Sequence, residues 1–208
     1  LGRVLMRCPL CDNLVYNAFG VAKSPTESIP FGYCRCGAIF NSAGVDKTAF
    51  NQEFLTKWND IKFLNERYDY LTRVYMPLIE EATYGRDVLN VGSCGNALND
   101  LLDARGWNVH SIDLIDGAGG ITGDFETYDF FAKGYDHRFD LIVLNDVIQS
   151  FKDPVKAIYK AYNLLKPNGL IFISTPNTDL IRHNQARDFG HFNVKEVNVM
   201  INYSILEN

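Results

Sequence analysis

The sequence predicts an α/β fold, a parallel sheet covered by helices on both faces, behind a small cysteine-built module. Three observations lead there. From residue 87 onward, short apolar runs alternate with amphipathic stretches. The first of these runs ends in a glycine-containing turn. Four of the five cysteines form two close pairs near the N-terminus.

The elements follow in order. Residues 7–41 hold the cysteine pairs, three prolines and several glycines, with weak apolar periodicity. Such a segment cannot bury a large core and needs another support. We therefore place a zinc-binding module at 1–45, a helical linker region at 46–86 and the α/β domain at 87–208. Between Asn59 and Ala82, the residues Ile61, Leu64, Tyr68, Leu71, Tyr75 and Leu78 recur at three- and four-residue steps, which predicts one helical face. Gly85 is its stop, and Pro77 kinks or splits it. Val88 to Val91 reads as the first strand. Ala97 to Arg105 reads as a helix closed by Gly106. Val109 to Leu114 is the second strand, with acidic residues at its end. Gly119 to Phe125 is a weak third strand and Phe139 to Leu144 a strong fourth. Pro154 opens a helix at its favoured first position. Its expected apolar face is Val155, Ile158, Tyr159, Tyr162 and Leu165. Lys166 to Gly169 then turns the chain into a fifth strand, Leu170 to Ser174.

Composition narrows the function. The 208 residues leave room for one core-forming domain and an appendage. A net charge of −5, with no Lys/Arg run, argues against sequence-independent nucleic-acid binding. No stretch of 18 apolar residues exists, so no membrane span is expected. Paired cysteines without a secretory signal suit a reducing, cytoplasmic compartment.

The pairs are Cys8-x2-Cys11 and Cys34-x-Cys36, with 22 residues between them. Four thiolates on two tight turns suit a tetrahedral, structural zinc, and Gly37 is placed to turn a backbone N–H toward sulfur. Buried free thiols or a redox pair are the alternatives. All four positions would be filled by protein, so the metal carries no catalysis. Cys94 stands apart and reads as a small packing residue.

Ligands of open parallel sheets bind outside the carboxyl ends of the strands. The turn there is Asn90-Val91-Gly92-Ser93-Cys94-Gly95-Asn96-Ala97. Gly92 permits a sharp bend and close approach of a ligand, and Gly95 and Asn96 can both adopt positive φ. Asp113 ends the second strand about 20 residues on, where a carboxylate can accept from ribose hydroxyls. Asp124 and Phe125 sit near the third strand's end, where a carboxylate and a ring can hold a purine; a capping carboxylate and plain core are the other readings. Among the histidines, His110 is expected on an exposed strand face and His137 in a polar loop. His183 and His191 flank the loop after strand five, and either could serve as a general base.

With these residues assembled, the stretch from Asp87 to about Asn193 resembles class I S-adenosylmethionine-dependent methyltransferases, in particular a branch with an N-terminal cysteine cluster. The likeness is carried by VLNVGSCGNAL and by FDLIVLNDVIQSFKDPVKAIYKAYNLLKPNGLIFISTPN. It implies a Rossmann-like sheet of order 3-2-1-4-5 and methyl transfer to a small-molecule acceptor such as a sugar or other hydroxyl compound. It further implies that Gly92 and Ser93 line the methionine part of S-adenosylmethionine. Asp113 would bind the ribose, Asp124 and Phe125 the adenine. Asn145 and Asp146 would face the sulfonium and the acceptor. Asn90, Asn96 and Leu114 complete the expected cofactor contacts, and His191 matches a recurring family position suited to a catalytic base. The sequence departs from the family at Asn90, where an acidic residue is usual. Cys94 and Asn96 replace the second and third glycines. Many relatives carry histidines where Asp146 and Ser150 stand. A non-catalytic scaffold with a zinc-ribbon interaction module is therefore the alternative. A nicotinamide-dependent oxidoreductase needs G-x-G-x-x-G, which Gly92 to Ala97 does not supply. Val194 to Ile205 would be the family's last helix. The sheet's last two strands are expected to be missing, leaving the strand-five edge exposed.

Overall fold

The computed structural model describes residues 6–15, 18–24, 27–178 and 196–202; the side chains of 18–30 and Ile61 fall outside that description. The chain divides into two compact units. One comprises residues 1–49, 146–155 and 175–208; the other comprises residues 50–145 and 156–174.

The first unit holds the four paired cysteines. Strands β1 (Met6–Arg7) and β2 (Leu14–Val15) pair antiparallel. β3 (Ala18–Ser24), β4 (Glu27–Tyr33) and β5 (Ile39–Asn41) form an antiparallel meander. The open edge of β5 is filled by β11 (Val199–Met200), with Val199 opposite Phe40 and Met200 opposite Ile39. The helix expected over Val194 to Ile205 is thus not formed at Val199–Met200. Val197, Val199, Met200 and Ile201 are all buried, and β5 offers backbone partners that a helix would leave unused. Buried amides tie the unit together. Asn198 Nδ2 donates to the Phe151 and Lys152 carbonyls at 2.7 and 3.2 Å. The Asn41 N–H donates to the Asn198 carbonyl at 2.8 Å.

The second unit is the parallel sheet. Its strands are β6 (Asp87–Val91), β7 (Asn108–Asp113), β8 (Ile121–Thr122), β9 (Phe139–Asn145) and β10 (Leu165–Ser174), in spatial order β10-β9-β6-β7-β8. This is the 3-2-1-4-5 order of a Rossmann-like α/β fold. The apolar runs of β6 and β9 occupy the middle and are almost wholly buried, as a strand covered on both faces must be. β10 pairs only with β9 among the described residues.

Helices α1 (Gln52–Trp58) and α2 (Ile61–Tyr70) start at Asn51 and Asp60, whose side chains accept the first free N–H groups. A π-helical turn, Leu71–Tyr75, then leads into α3 (Met76–Ala82). Pro77 cannot donate a hydrogen bond and its ring crowds the carbonyl four residues back, which the wider turn accommodates. The extra residue rotates the helical face. Met76 and Ile79 are buried where the sequence pattern pointed to Leu78, which is exposed along with Tyr68. These helices are part of the core: Leu71, Tyr75, Met76 and Ile79 pack with Val88, Leu141 and Val143 of the sheet and with Leu98, Leu101 and Leu102 of α4 (Ala97–Asp103).

The helix α5 (Pro154–Leu164) begins at Pro154 as expected but turns a different face inward. Ala157, Ala161 and Leu164 are buried, whereas Val155, Tyr159 and Tyr162 are exposed. The small alanines let the helix lie close to its neighbours, and the two tyrosines keep their rings in solvent.

Candidate functional site

The carboxyl ends of four strands line up in one row. Parallel register sets Val91 beside Ile112 and Leu144, and Asp113 beside Thr122. The Gly92 N–H donates to the Ile112 carbonyl at 2.8 Å, and the Gly123 N–H to the Asp113 carbonyl at 2.7 Å. Gly92, Asp113, Gly123 and Asn145 therefore mark a single edge.

The turn after β6 bends through three left-handed residues: Gly92 at φ 69°, Cys94 at 44° and Gly95 at 93°. The sequence pointed to Asn96 as the partner of Gly95. Asn96 instead stands at the N-cap position of α4 at φ −100°, with no capping bond from its side chain, and Cys94 takes the strained conformation. Several contacts over-determine it. The Cys94 N–H donates to Asp113 Oδ2 at 2.8 Å, while Arg67 donates to the Cys94 carbonyl at 3.3 Å. A Cβ at Gly95 would run into the Asn59 side chain.

Asp113 is buried, and its second oxygen accepts the Ile115 N–H at 2.9 Å. Its carboxylate thus faces the turn and holds it; two of about four lone-pair directions are used in these bonds. Leu114, the next residue, is partly exposed. Ser93 is buried and donates to the Ala118 carbonyl at 2.8 Å. Asn90 donates to Asn99, which donates to Ser111, at 2.9 and 3.2 Å. Asn90 therefore supports the turn from the α4 side. Asn145 Oδ1 is buried without a hydrogen-bond partner among the described residues. Such an orphaned acceptor on the ligand edge is where a bound molecule's donor fits.

Asp124 Oδ1 accepts the Glu126 N–H at 3.0 Å, and its carbonyl accepts from Thr127 and Tyr128. Phe125 is buried against Phe130. Asp146 follows β9 at φ 54°, and Gln149 Nε2 donates to its carbonyl at 2.8 Å. His191 and His183 lie outside the described residues. His110 is half-buried, edge-on to Tyr135 and Phe139, where an exposed position was expected; burial lowers its pKa. Lys160 was missed by the sequence reading: its ammonium lies 2.6 Å from the Phe125 carbonyl. A lysine between the apolar positions of α5 was the only signal.

In the other unit, the sulfurs of Cys8, Cys11, Cys34 and Cys36 all lie within 4.8 Å of one another. Cys8 and Cys36 sulfurs are 3.7 Å apart, Cys11 and Cys34 sulfurs 3.5 Å. A tetrahedron with metal–sulfur bonds of about 2.3 Å has edges of about 3.8 Å, so this thiol set could hold a metal ion. Each pair sits on a tight turn. Backbone N–H groups of Leu10 and Cys11 point at Cys8 sulfur, and those of Asn13 and Ala38 at Cys11 and Cys36. Gly37, at φ 98°, donates to the Cys34 carbonyl rather than to sulfur. Burial pushes the Cys8 and Cys36 thiols up, a cost that a bound cation would offset.

A family described as "Methyltransferase domain" matches residues 45–203. The ubiquinone biosynthesis O-methyltransferase of Actinobacillus pleuropneumoniae is 31% identical over 47% of this chain and 48% of its own length. That of Pseudomonas aeruginosa is 28% identical over 45% of each. The chain thus spans about half the length of the curated relatives it matches. Among solved structures, a SAM-dependent methyltransferase from Archaeoglobus fulgidus superposes with TM-score 0.49 at 18% identity, covering 61% of this chain and 59% of that one. N-methyltransferase NodS from Bradyrhizobium japonicum, solved with S-adenosyl-L-homocysteine, gives 0.44 at 20%, covering 58% and 68%. With the matched family covering residues 45–203, this chain belongs to the methyltransferase-domain family.

Proposed function

We propose that this chain binds S-adenosylmethionine along the carboxyl edge of its parallel sheet and transfers the methyl group to a hydroxyl of a small molecule. The observation that carries the reading is the row Gly92, Asp113, Gly123 and Asn145, with the Asp113 carboxylate turned onto the bend at Cys94. The cofactor supplies an electrophilic methyl on sulfur, and the protein's part is proximity and alignment. Gly92 and Ser93 give the methionine part a path along bare backbone. Asp113 keeps lone pairs for ribose hydroxyls beyond its two backbone bonds. Asp124 accepts from the adenine and Asn96 and Leu114 shape the walls, while Phe125, buried against Phe130, and Asn90, bonded to Asn99, brace the turns from inside. Asn145, whose amide oxygen lacks a partner among the described residues, and Asp146 orient the reacting end. His191 is the base that takes the acceptor's proton. The hydroxyl acceptor is inferred from relatives named as O-methyltransferases. Structural zinc on Cys8, Cys11, Cys34 and Cys36 holds the N-terminal module, and the reduced thiols fit the cytoplasm.

Calorimetric titration with S-adenosylhomocysteine tests the cofactor assignment, with binding in the micromolar range expected. Loss of methyl transfer with retained titration in His191→Ala tests the base. No detectable binding would favour a scaffold that has kept the architecture and lost the ligand, consistent with a cysteine where the turn wants a glycine.

A further inference from the structure

A charged group on α5 reaches the carbonyls of the Asp124 turn. Lys160 Nζ, on α5, donates to the Phe125 and Tyr128 carbonyls at 2.6 and 2.5 Å and lies 3.4 Å from that of Glu126. The same ammonium sits 5.3 and 5.4 Å from the ring centres of Phe125 and Phe130. Three carbonyls of one turn pointing inward would repel one another without a cation among them.

The Phe125–Glu126 peptide is planar, so fixing its carbonyl fixes the direction of its N–H. The carbonyl points to Lys160. The N–H points the opposite way and meets Asp124 Oδ1 at 3.0 Å. One rigid plane therefore joins the ammonium to the carboxylate. On the other side of Asp124, Gly123 is tied to the end of β7 by its bond to the Asp113 carbonyl. Asp124 is thereby set against the strand ends by β7 from one side and by α5 from the other.

We propose that Lys160 is a positioning residue for purine recognition, orienting the Asp124 carboxylate through the Phe125–Glu126 peptide plane. The inference rests on the cofactor reading above, in which Asp124 accepts from the adenine amino group. Lys160 touches no ligand; it decides whether Asp124 can tell a 6-amino purine from a 6-oxo purine. The acceptor carboxylate gains a hydrogen bond with the first and faces an oxygen in the second.

The test is calorimetric titration of the full chain with S-adenosylhomocysteine and with S-inosylhomocysteine. Wild type is expected to prefer the adenosyl compound by roughly tenfold or more, the scale of one hydrogen bond to a charged group. Lys160→Met should weaken adenosyl binding by about tenfold and bring the preference near unity, and Lys160→Arg should recover much of both. Asp124→Asn should lose the preference by itself, with no further loss in the double variant. A Lys160→Met protein that melts earlier but keeps the wild-type preference overturns the proposal while leaving cofactor binding intact. Wild type that binds neither compound overturns the cofactor reading and this inference together. Should Lys160→Met fail to fold, Lys160→Gln, which keeps a donor without the charge, decides alone: its preference should fall below wild type, and an unchanged ratio overturns the proposal.

Discussion

The two units reach stability by different means. In the sheet unit, β6 and β9 are buried on both faces, and helices α3 and α4 close over them with Leu, Ile and Met side chains. The cysteine unit has short strands and a network of buried amides around Asn41, Gln149 and Asn198. Among the described residues 6–15 the buried apolar side chains are Met6, Cys8 and Val15, a small area, so a metal held by the four thiols would supply most of the cohesion near Cys8. One unit is held by area removed from water and the other by short strands and buried amides beside a thiol set that could hold a metal ion, so the same perturbation should act on them unequally.

The largest effect is expected at the thiols. Cys34 is 1% exposed. Cys34→Ser should abolish stoichiometric metal by elemental analysis. Structural zinc in small peptides contributes on the order of 10 kcal/mol, and most of it is lost with one ligand. Both tryptophans, Trp58 and Trp107, belong to the sheet unit. Trp107 is buried beneath Arg86, whose guanidinium lies 4.9 Å from the ring. Its emission should therefore stay that of a buried indole after chelation. A red shift on metal removal would break the comparison.

Next is the core of the sheet unit. Leu102, fully buried on α4, should cost about 2–5 kcal/mol when truncated to alanine, read by tryptophan-detected urea unfolding. Metal content should not change. Asp113→Asn ranks third. It removes the charge from two backbone hydrogen bonds, including the one that holds Cys94. S-adenosylhomocysteine affinity should fall by about 10- to 100-fold, on the order of 1.5–3 kcal/mol.

The smallest effect is at the sheet's amino edge. There Lys166 Nζ lies 2.5 Å from Asp87 and 2.9 Å from Asp140. The Lys166 hydrogen bond holds Asp87 below the usual carboxylate range. Burial would raise Asp140, but Lys166 and the Asp87 N–H outweigh it and lower it too. Carboxylates depressed on folding contribute stability that is present above about pH 4 and lost as pH falls through their folded values. Lys166 is about a third exposed, so solvent screening keeps the contribution near 1 kcal/mol or below. Acid unfolding of Lys166→Met, compared with wild type, should differ above pH 4 and converge below it.

The sheet unit was largely legible in the sequence, because VLNV and FDLIVL are apolar apart from Asn90 and Asp140, the pattern of a strand covered on both faces. Faces were harder. Alanines on α5 were buried while tyrosines stayed out, since periodicity weighs size and packing favours fit. The π turn before Pro77 shifted a register that a constant 3.6-residue period could not follow. In the candidate site, Asp113 lands at the carboxyl edge of the sheet, where its place at a strand end put it. The positive φ of Cys94 was not readable, because its cause is a carboxylate 19 residues away and an arginine on α2. The pairing of β5 with β11 was hidden for the same reason at greater distance.

That last pairing bears on biosynthesis. Every residue of the sheet unit, 50–145 and 156–174, leaves the ribosome before the strand that completes the sheet around Phe40. The nucleotide-fold half can collapse while the nascent polypeptide is still tethered, whereas Ile39–Asn41 must wait with an open flank until some 160 later residues have been made. Shielding of that flank, by early capture of a cation at the thiols or by a chaperone, would then govern the yield of correctly assembled protein.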